Sequence, residues 1–167
     1  NCGIKNFGST CYLNSALQSF LKCDLLTNFI KSNDFDSDMF NEHKKIILGI
    51  EDENCIISPI SFLKDLGIKL DKYKYEFQIN SQQDITEFIT TYLDILHEEI
   101  KHKVNMTISG KIVNNLDKMA YNSMIEWKSF FKDNFSKIID IFYGQTVSKI
   151  KVIDDEIVSY NYNPLNI

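Results

Sequence analysis

Arginine is absent from this chain: all 18 basic side chains among its 167 residues are lysine, set against 23 acidic ones for a formal charge of −5. Without a planar guanidinium fork, any mechanism that rests on a bidentate arginine clamp is excluded. The acidic balance argues against nucleic acid as a partner, because neutralising phosphates takes clustered cations. Glycine and proline are scarce, six and two residues, and no stretch rich in them divides the chain, so it reads as one domain or part of one. No apolar run approaches the roughly 18 residues of a membrane-spanning helix, and the start shows no charged segment followed by an apolar one. The four cysteines, Cys2, Cys11, Cys23 and Cys55, form no C-x-x-C pair and no disulfide framework, which favours free thiols in a reducing compartment. The expectation is a soluble, intracellular protein (cytoplasm and/or nucleus). Because the chain opens on Asn1 and not on Met, a piece of something longer is also expected.

What is present is apolar residue in quantity, 44% of the chain, and that excludes disorder for most of it. Its period is helical to about residue 140. Leu13, Ala16, Leu17, Phe20 and Leu21 recur on one helical face behind the capping pair Ser9-Thr10. A second helix is expected from Ser37 to near Gly49. A third has Ser58 as N-cap, Pro59 at its first position and Gly67 to end it. The clearest stripe is Ile85, Phe88, Ile89, Tyr92, Leu93, Leu96 and Ile100, entered through Ser81 and Asp84 in an acidic variant of the capping box. A further helix runs through Leu116, Met119, Ala120, Trp127, Phe130 and Phe131. From Phe142 the pattern alternates and predicts a strand, a turn at Asp154-Asp155 and a second strand over Ile157 to Tyr162. The fold class is α+β: mainly helical, with a short antiparallel hairpin at the C-terminal end.

Cys11 stands just inside the start of the first helix, behind Gly8 and the pair Ser9-Thr10. Backbone N–H groups without helical partners and the positive end of the dipole stabilise a thiolate at such a place. The same N–H groups can face a developing oxyanion, and the Asn6 amide can join them. A buried small hydrophobe is the other reading of a cysteine there. Asp84 and Glu87, read from the residues alone, are carboxylates that complement a helix dipole and cap its N–H groups.

The string from Gly3 to Gln18, with Gly3, Asn6, Gly8, Thr10-Cys11-Tyr12 and Asn14-Ser15 in phase, resembles the cysteine box of the ubiquitin-specific proteases, the large papain-like deubiquitinase family. Ser9 stands where that family usually has Asn, and both residue types cap helices. Gln82-Gln83-Asp84-Ile85-Thr86-Glu87-Phe88-Ile89 looks like the family's Q-Q-D box, and Phe142 to Ile150 resembles, more loosely, its passage into the fingers sheet. The resemblance implies a thumb-like helical subdomain over residues 1–140 and the start of fingers or palm strands over 141–167. It implies Cys11 as nucleophile, Asn6 as oxyanion-hole side chain, Gln83, Asp84 and Glu87 as contacts of the ubiquitin tail, and ubiquitin or ubiquitin-conjugated proteins as partners. Family members often carry C-x-x-C where this chain has Val152 and Asp155; a hydrophobe cannot ligate zinc, so no structural metal and no cofactor is expected.

A thiol protease needs a general base, usually an oriented His. The family supplies it from a box downstream of the fingers, and this chain ends before that box. His43, His97 and His102 are expected to be solvated or half-buried surface residues and no substitutes for it. The expectation is therefore a cysteine-type deubiquitinase, a thiol-dependent ubiquitin C-terminal hydrolase, incomplete as this chain; a non-catalytic ubiquitin-binding or interaction module derived from one is the alternative.

Overall fold

A computed structural model describes residues 3–51, 56–151 and 158–166. They form two compact units, Asn1–Glu99 and Ile100–Ile167, and each is taken by itself. The expected turn at Asp154-Asp155, and Val152 and Asp155 at the positions of the absent C-x-x-C, lie outside the described residues.

The first unit is a helical assembly with one small parallel strand pair. Strand β1 (Gly3–Ile4) pairs with β2 (Ile56–Ile57), Gly3 opposite Ile56. Helix α1 (Cys11–Phe20) buries Leu13, Ala16, Leu17 and Phe20 as its period predicts. Helix α2 (Asp24–Ser32) follows almost at once. The sequence reading missed it, yet Leu26 and Ile30, one turn apart, are fully buried, with Asp24 at its positive end and Lys31 at its negative end. Helix α3 (Asp38–Glu51) matches expectation.

Helix α4 (Ile60–Tyr73) does not. Its N-cap is Pro59, and it runs through Gly67. A Cβ at Gly67 would meet only ordinary contact, Ile79 Cδ1 at 3.7 Å, so packing does not demand glycine there. Leu66 and Leu70 are buried on either side of it, and continuing their burial outweighs the roughly 1 kcal/mol that glycine costs a helix. The stop comes at Lys74, in the left-handed region with φ 60.

Helix α5 (Ile85–Ile100) carries the predicted stripe, with Phe88, Tyr92, Leu93 and Leu96 buried. Its cap is corrected by the structure: Asp84 Oδ1 accepts from the N–H groups of Thr86 (2.7 Å) and Glu87 (3.1 Å), whereas Ser81 Oγ donates to the Gln78 carbonyl. The aspartate sits one residue before the helix, where its carboxylate meets the first free donors.

At the centre of this unit is an aromatic cluster. Phe88 stacks on Tyr92 at 5.7 Å and 9°, and Tyr92 tilts against Phe20, Phe62 and the ring of His43. His43 is therefore no surface residue. It is fully buried and shares a 2.7 Å hydrogen bond, through Nδ1, with the Tyr92 hydroxyl. At the far end of α5, Glu99 accepts from Ser37, Lys69, Lys72 and Tyr73, tying α3, α4 and α5 together. Burial works to push the carboxyl up, but the hydrogen bonds from Lys69, Tyr73, Lys72 and Ser37 outweigh it and hold the carboxyl at about 2.

The second unit contains α6 (Asn115–Phe131), α7 (Lys137–Phe142) and the antiparallel hairpin of β3 (Tyr143–Lys151) and β4 (Val158–Asn166), in register Tyr143 to Asn166. Asn114 and Asp117 form a complete capping box for α6. Ser136 caps α7, a helix the sequence reading did not separate from its neighbours. Ser123 on α6 donates to the Gln145 side chain of β3, and Phe131 packs edge-on against Tyr143 at 5.9 Å. Those contacts lay the face of β3 that bears Tyr143 and Gln145 on the helix.

Candidate functional site

The segment that leads into Cys11 is fixed from both sides before it reaches the thiol. Lys5 N–H donates to the Ile57 carbonyl at 2.8 Å, extending the β1–β2 pairing by one bond. From the other side, Asn14 Nδ2, one turn into α1, reaches back to the carbonyls of Ile4 (3.2 Å) and Lys5 (3.4 Å). The chain then turns through Gly8 at φ +96. A Cβ at Gly8 would meet nothing within 4 Å, so glycine is needed there for its conformation and not for space.

Thr10 closes the turn. Its backbone N–H donates to the Gly8 carbonyl at 2.5 Å. Its hydroxyl accepts from Phe7 N–H (3.1 Å) and donates to Asn6 Oδ1 (2.8 Å), the same oxygen that its backbone N–H approaches at 3.4 Å. Thr10 is 1% exposed. It precedes α1 as the N-cap residue, but its side chain makes no capping bond to the helix, so the sequence expectation that this hydroxyl caps α1 is corrected. The hydroxyl is already spent on the loop, and the first-turn N–H groups around Cys11 are left uncovered by it.

Cys11 is the first residue of α1, exposed and with a free thiol. The next residue turns inward. Tyr12 is 6% exposed, lies edge-on to Phe77 (5.7 Å) and Phe88 (5.4 Å), and donates its hydroxyl to the Ile79 carbonyl at 3.1 Å. Burial, with a smaller contribution from the Cys11 charge, pushes the Tyr12 phenol up to about 12, so it stays protonated and remains a donor at neutral pH.

That bond fastens the Cys11 helix to the loop between α4 and α5, which carries Gln83 and Asp84 and leads into the helix that bears Glu87. Gln83 is half-buried and spends its amide within the loop, donating to the Gln78 carbonyl (3.1 Å) and to Ser81 Oγ (2.7 Å). Asp84, exposed, caps α5; its carboxyl is held below the usual range by the backbone hydrogen bonds from Glu87 and Thr86. Glu87 is exposed on the first turn. The structure thus gathers Asn6 and Cys11 in one braced turn and sets Gln83, Asp84 and Glu87 on an adjoining loop and helix start. What sequence reasoning missed are the braces: Thr10, Tyr12 and Asn14. Their signal was residue type, a hydroxyl, a phenol and an amide beside a glycine turn, but a bond such as Tyr12 to Ile79 spans 67 positions and leaves no local trace.

Of the histidines, His43 is bound to Tyr92 in the core and His102 bonds through Nδ1 to the Ile100 carbonyl in the second unit. Among the described residues no group of three or more His, Cys, Asp or Glu is disposed to hold a metal ion, and no helix is long and apolar enough to cross a membrane.

Comparison with known proteins gives this arrangement a family. The chain is similar to "Ubiquitin carboxyl-terminal hydrolase Usp2" of Drosophila melanogaster, 26% identical over 173 residues that cover 98% of this chain and 18% of that protein. It is similar to "Ubiquitin carboxyl-terminal hydrolase 4" of Saccharomyces cerevisiae, 26% identical over 190 residues (99% of this chain, 20% of the relative). It is also similar to "Ubiquitin carboxyl-terminal hydrolase 2" of Bos taurus, 27% identical over 176 residues (97% and 28%). The chain therefore spans between 18% and 28% of the length of these relatives. A sequence model of the ubiquitin carboxyl-terminal hydrolase family matches residues 2–156, and the chain belongs to that family.

Proposed function

We propose that this chain carries the nucleophile and oxyanion side of a thiol-dependent hydrolase acting, inside the cell, on the bond that follows the C-terminal glycine of ubiquitin. The observation that carries the reading is an exposed Cys11 thiol at the first residue of a helix, directly after Thr10, whose hydroxyl is hydrogen-bonded to the Asn6 carboxamide. The names of the relatives point to the bond that is cut.

In this reading the Cys11 sulfur bonds to the carbonyl carbon, and the π pair moves onto oxygen. The first-turn N–H groups of α1 and the Asn6 amide receive that oxyanion, where preorganised donors are worth most. Collapse breaks the C–N bond and the amine leaves with a proton. Water then cleaves the thioester, returning the thiol and a free carboxylate. The proton transfers call for a general base, a role not assigned to His43 or His102. Asp84 and Glu87 offer negative charge to a basic tail, and Gln83 shapes the loop along which that tail lies. The same proposal places a helical thumb over residues 1–140 and the start of a fingers or palm sheet over 141–167.

The test is incubation with ubiquitin bearing a C-terminal electrophile. A covalent adduct that disappears in Cys11→Ala is expected. Ubiquitin binding without an adduct would replace this reading with a non-catalytic recognition module, and neither binding nor adduct would overturn it.

A further inference from the structure

We infer that Thr10 is a positioning residue for the oxyanion donor: its hydroxyl fixes which end of the Asn6 carboxamide faces the substrate. The inference rests on the reading of Asn6 given above. Its support is a set of hydrogen bonds among Phe7, Thr10 and Asn6 in which the two backbone N–H groups are fixed donors. Phe7 N–H can only donate, so Thr10 Oγ1 accepts from it at 3.1 Å. The second lone pair of that hydroxyl leaves both senses open for its 2.8 Å bond to Asn6. Thr10 N–H, again only a donor, approaches the same Asn6 atom at 3.4 Å, so that atom is the amide oxygen and the hydroxyl donates to it. With Oδ1 claimed by Thr10, the Nδ2 donors form the opposite end of a planar group and are the ones presented to an incoming oxygen.

The geometry makes the hold stiff. Thr10 is 1% exposed, and its backbone is clamped by the 2.5 Å bond to the Gly8 carbonyl and, through its own carbonyl, by the first helical bond from Asn14 N–H (3.0 Å). Asn6 itself is exposed, so without the hydroxyl little else would decide between its two flipped orientations, one of which sets an acceptor against an oxyanion and repels it. Spending the Thr10 side chain on Asn6 also keeps it off the first-turn N–H groups of α1, so the residue that aims one donor leaves the others uncovered.

Three variants separate this role from a merely structural one. Thr10→Val keeps the shape and removes the hydroxyl, Thr10→Ser keeps the hydroxyl, and Asn6→Ala removes the donor. The first readout is binding of ubiquitin with a C-terminal aldehyde. The Cys11 thiol adds across its C=O: the S–C bond forms, the oxygen takes the thiol proton, and nothing leaves, so the hemithioacetal samples the oxyanion site. Losing an oxyanion donor costs about 100-fold or more. Asn6→Ala should therefore weaken the aldehyde complex by about that factor, and Thr10→Val by about 10-fold or more, with no further loss when the two are combined. Thr10→Ser should restore it, and binding of ordinary ubiquitin should be unchanged throughout. The second readout is the Asn6 side-chain NH2 resonance of the 15N-labelled chain, which should lose its dispersion and order in Thr10→Val and keep both in Thr10→Ser. An Asn6 signal unaffected by Thr10→Val, or additive losses in the double variant, would overturn the inference. If the unaltered chain does not bind the aldehyde at all, the proposed function falls, and the resonance still decides whether Thr10 holds Asn6.

Discussion

Mild acid should destabilise the first unit through a single side chain. His43 is completely buried. The rings packed against it are Phe20 at 6.4 Å, Phe62 at 6.5 Å and Tyr92 at 5.7 Å, none of them a counter-charge, and its Nε2 has no hydrogen-bond partner among the described residues. Burial pushes the imidazole from 6.5 down to about 4. The folded chain therefore holds His43 neutral at pH values where the unfolded chain protonates it. Between those two values the unfolded state binds more protons, so stability rises with pH. The contribution is fully present above 6.5 and is lost as pH falls toward 4. At pH 5 protonation shifts the equilibrium about 30-fold toward the unfolded chain, a loss of about 2 kcal/mol relative to pH 8, growing to about 3 kcal/mol at pH 4. Glu99, held at about 2 against 4.5, adds a loss of the same sign mainly below pH 4.5, so the interval from 8 to 5 isolates the histidine. Urea unfolding followed by far-ultraviolet circular dichroism at pH 8 and pH 5 measures the difference. His43→Gln removes the titration while leaving an acceptor for the Tyr92 hydroxyl. It should be less stable than the parent at pH 8 but lose little more on going to pH 5. If the variant and the parent lose the same stability over that interval, charge entering at His43 is not the cause.

Phe88→Ala should cost about 3–5 kcal/mol, since the ring is 1% exposed and packed on Tyr12, Phe77 and Tyr92; a loss below about 1 kcal/mol in the same urea experiment would refute that packing. Glu99→Ala strips the partner from Lys69 and Tyr73 and should cost about 2–3 kcal/mol, while Lys103→Ala, which breaks the exposed pair with Asp133, should leave the urea midpoint unchanged. Asp84→Asn keeps an α5 cap of equal quality and removes the charge, so it should leave the urea midpoint in place and weaken ubiquitin binding, with an effect that shrinks in high salt; Asp84→Ala should lower the midpoint as well.

Period carried most of the fold. The stripes of α1 and α5 are strong because each helix buries one face continuously, and a buried face leaves its period in the residues. Where burial follows other rules the sequence was silent or misleading. Helix α2 buries only Leu26 and Ile30, too few positions to stand out beside α1. Gly67 looked like a stop because a glycine's local cost is visible in a sequence and the burial of Leu66 and Leu70 on either side of it is not. His43 looked like a surface residue because its charged neighbours Glu42, Lys44 and Lys45 are adjacent in sequence, whereas its partner Tyr92 lies on another helix. At the site, the placing of Cys11 at a helix start was legible from Gly8 and Thr10, but the task of the Thr10 hydroxyl was not. A threonine before a helix has two ways to satisfy its oxygen, and only the turn through Gly8 selects the second.

The β1–β2 pairing is only two residues long on each side, yet it joins positions about fifty residues apart. The turn that bears Asn6 is thus held, through Lys5 and the Ile57 carbonyl, by a stretch of chain that arrives after α1, α2 and α3. Such a contact bears a loop-closure entropy that local helical contacts do not. During folding, α1 with its thiol can form early from nearby residues, while the geometry around that thiol waits for the chain to return at Ile56. On the proposed reading of Cys11, surroundings completed by a distant strand make its reactivity depend on the tertiary fold as a whole, which would guard against promiscuous thiol chemistry in the unfinished chain.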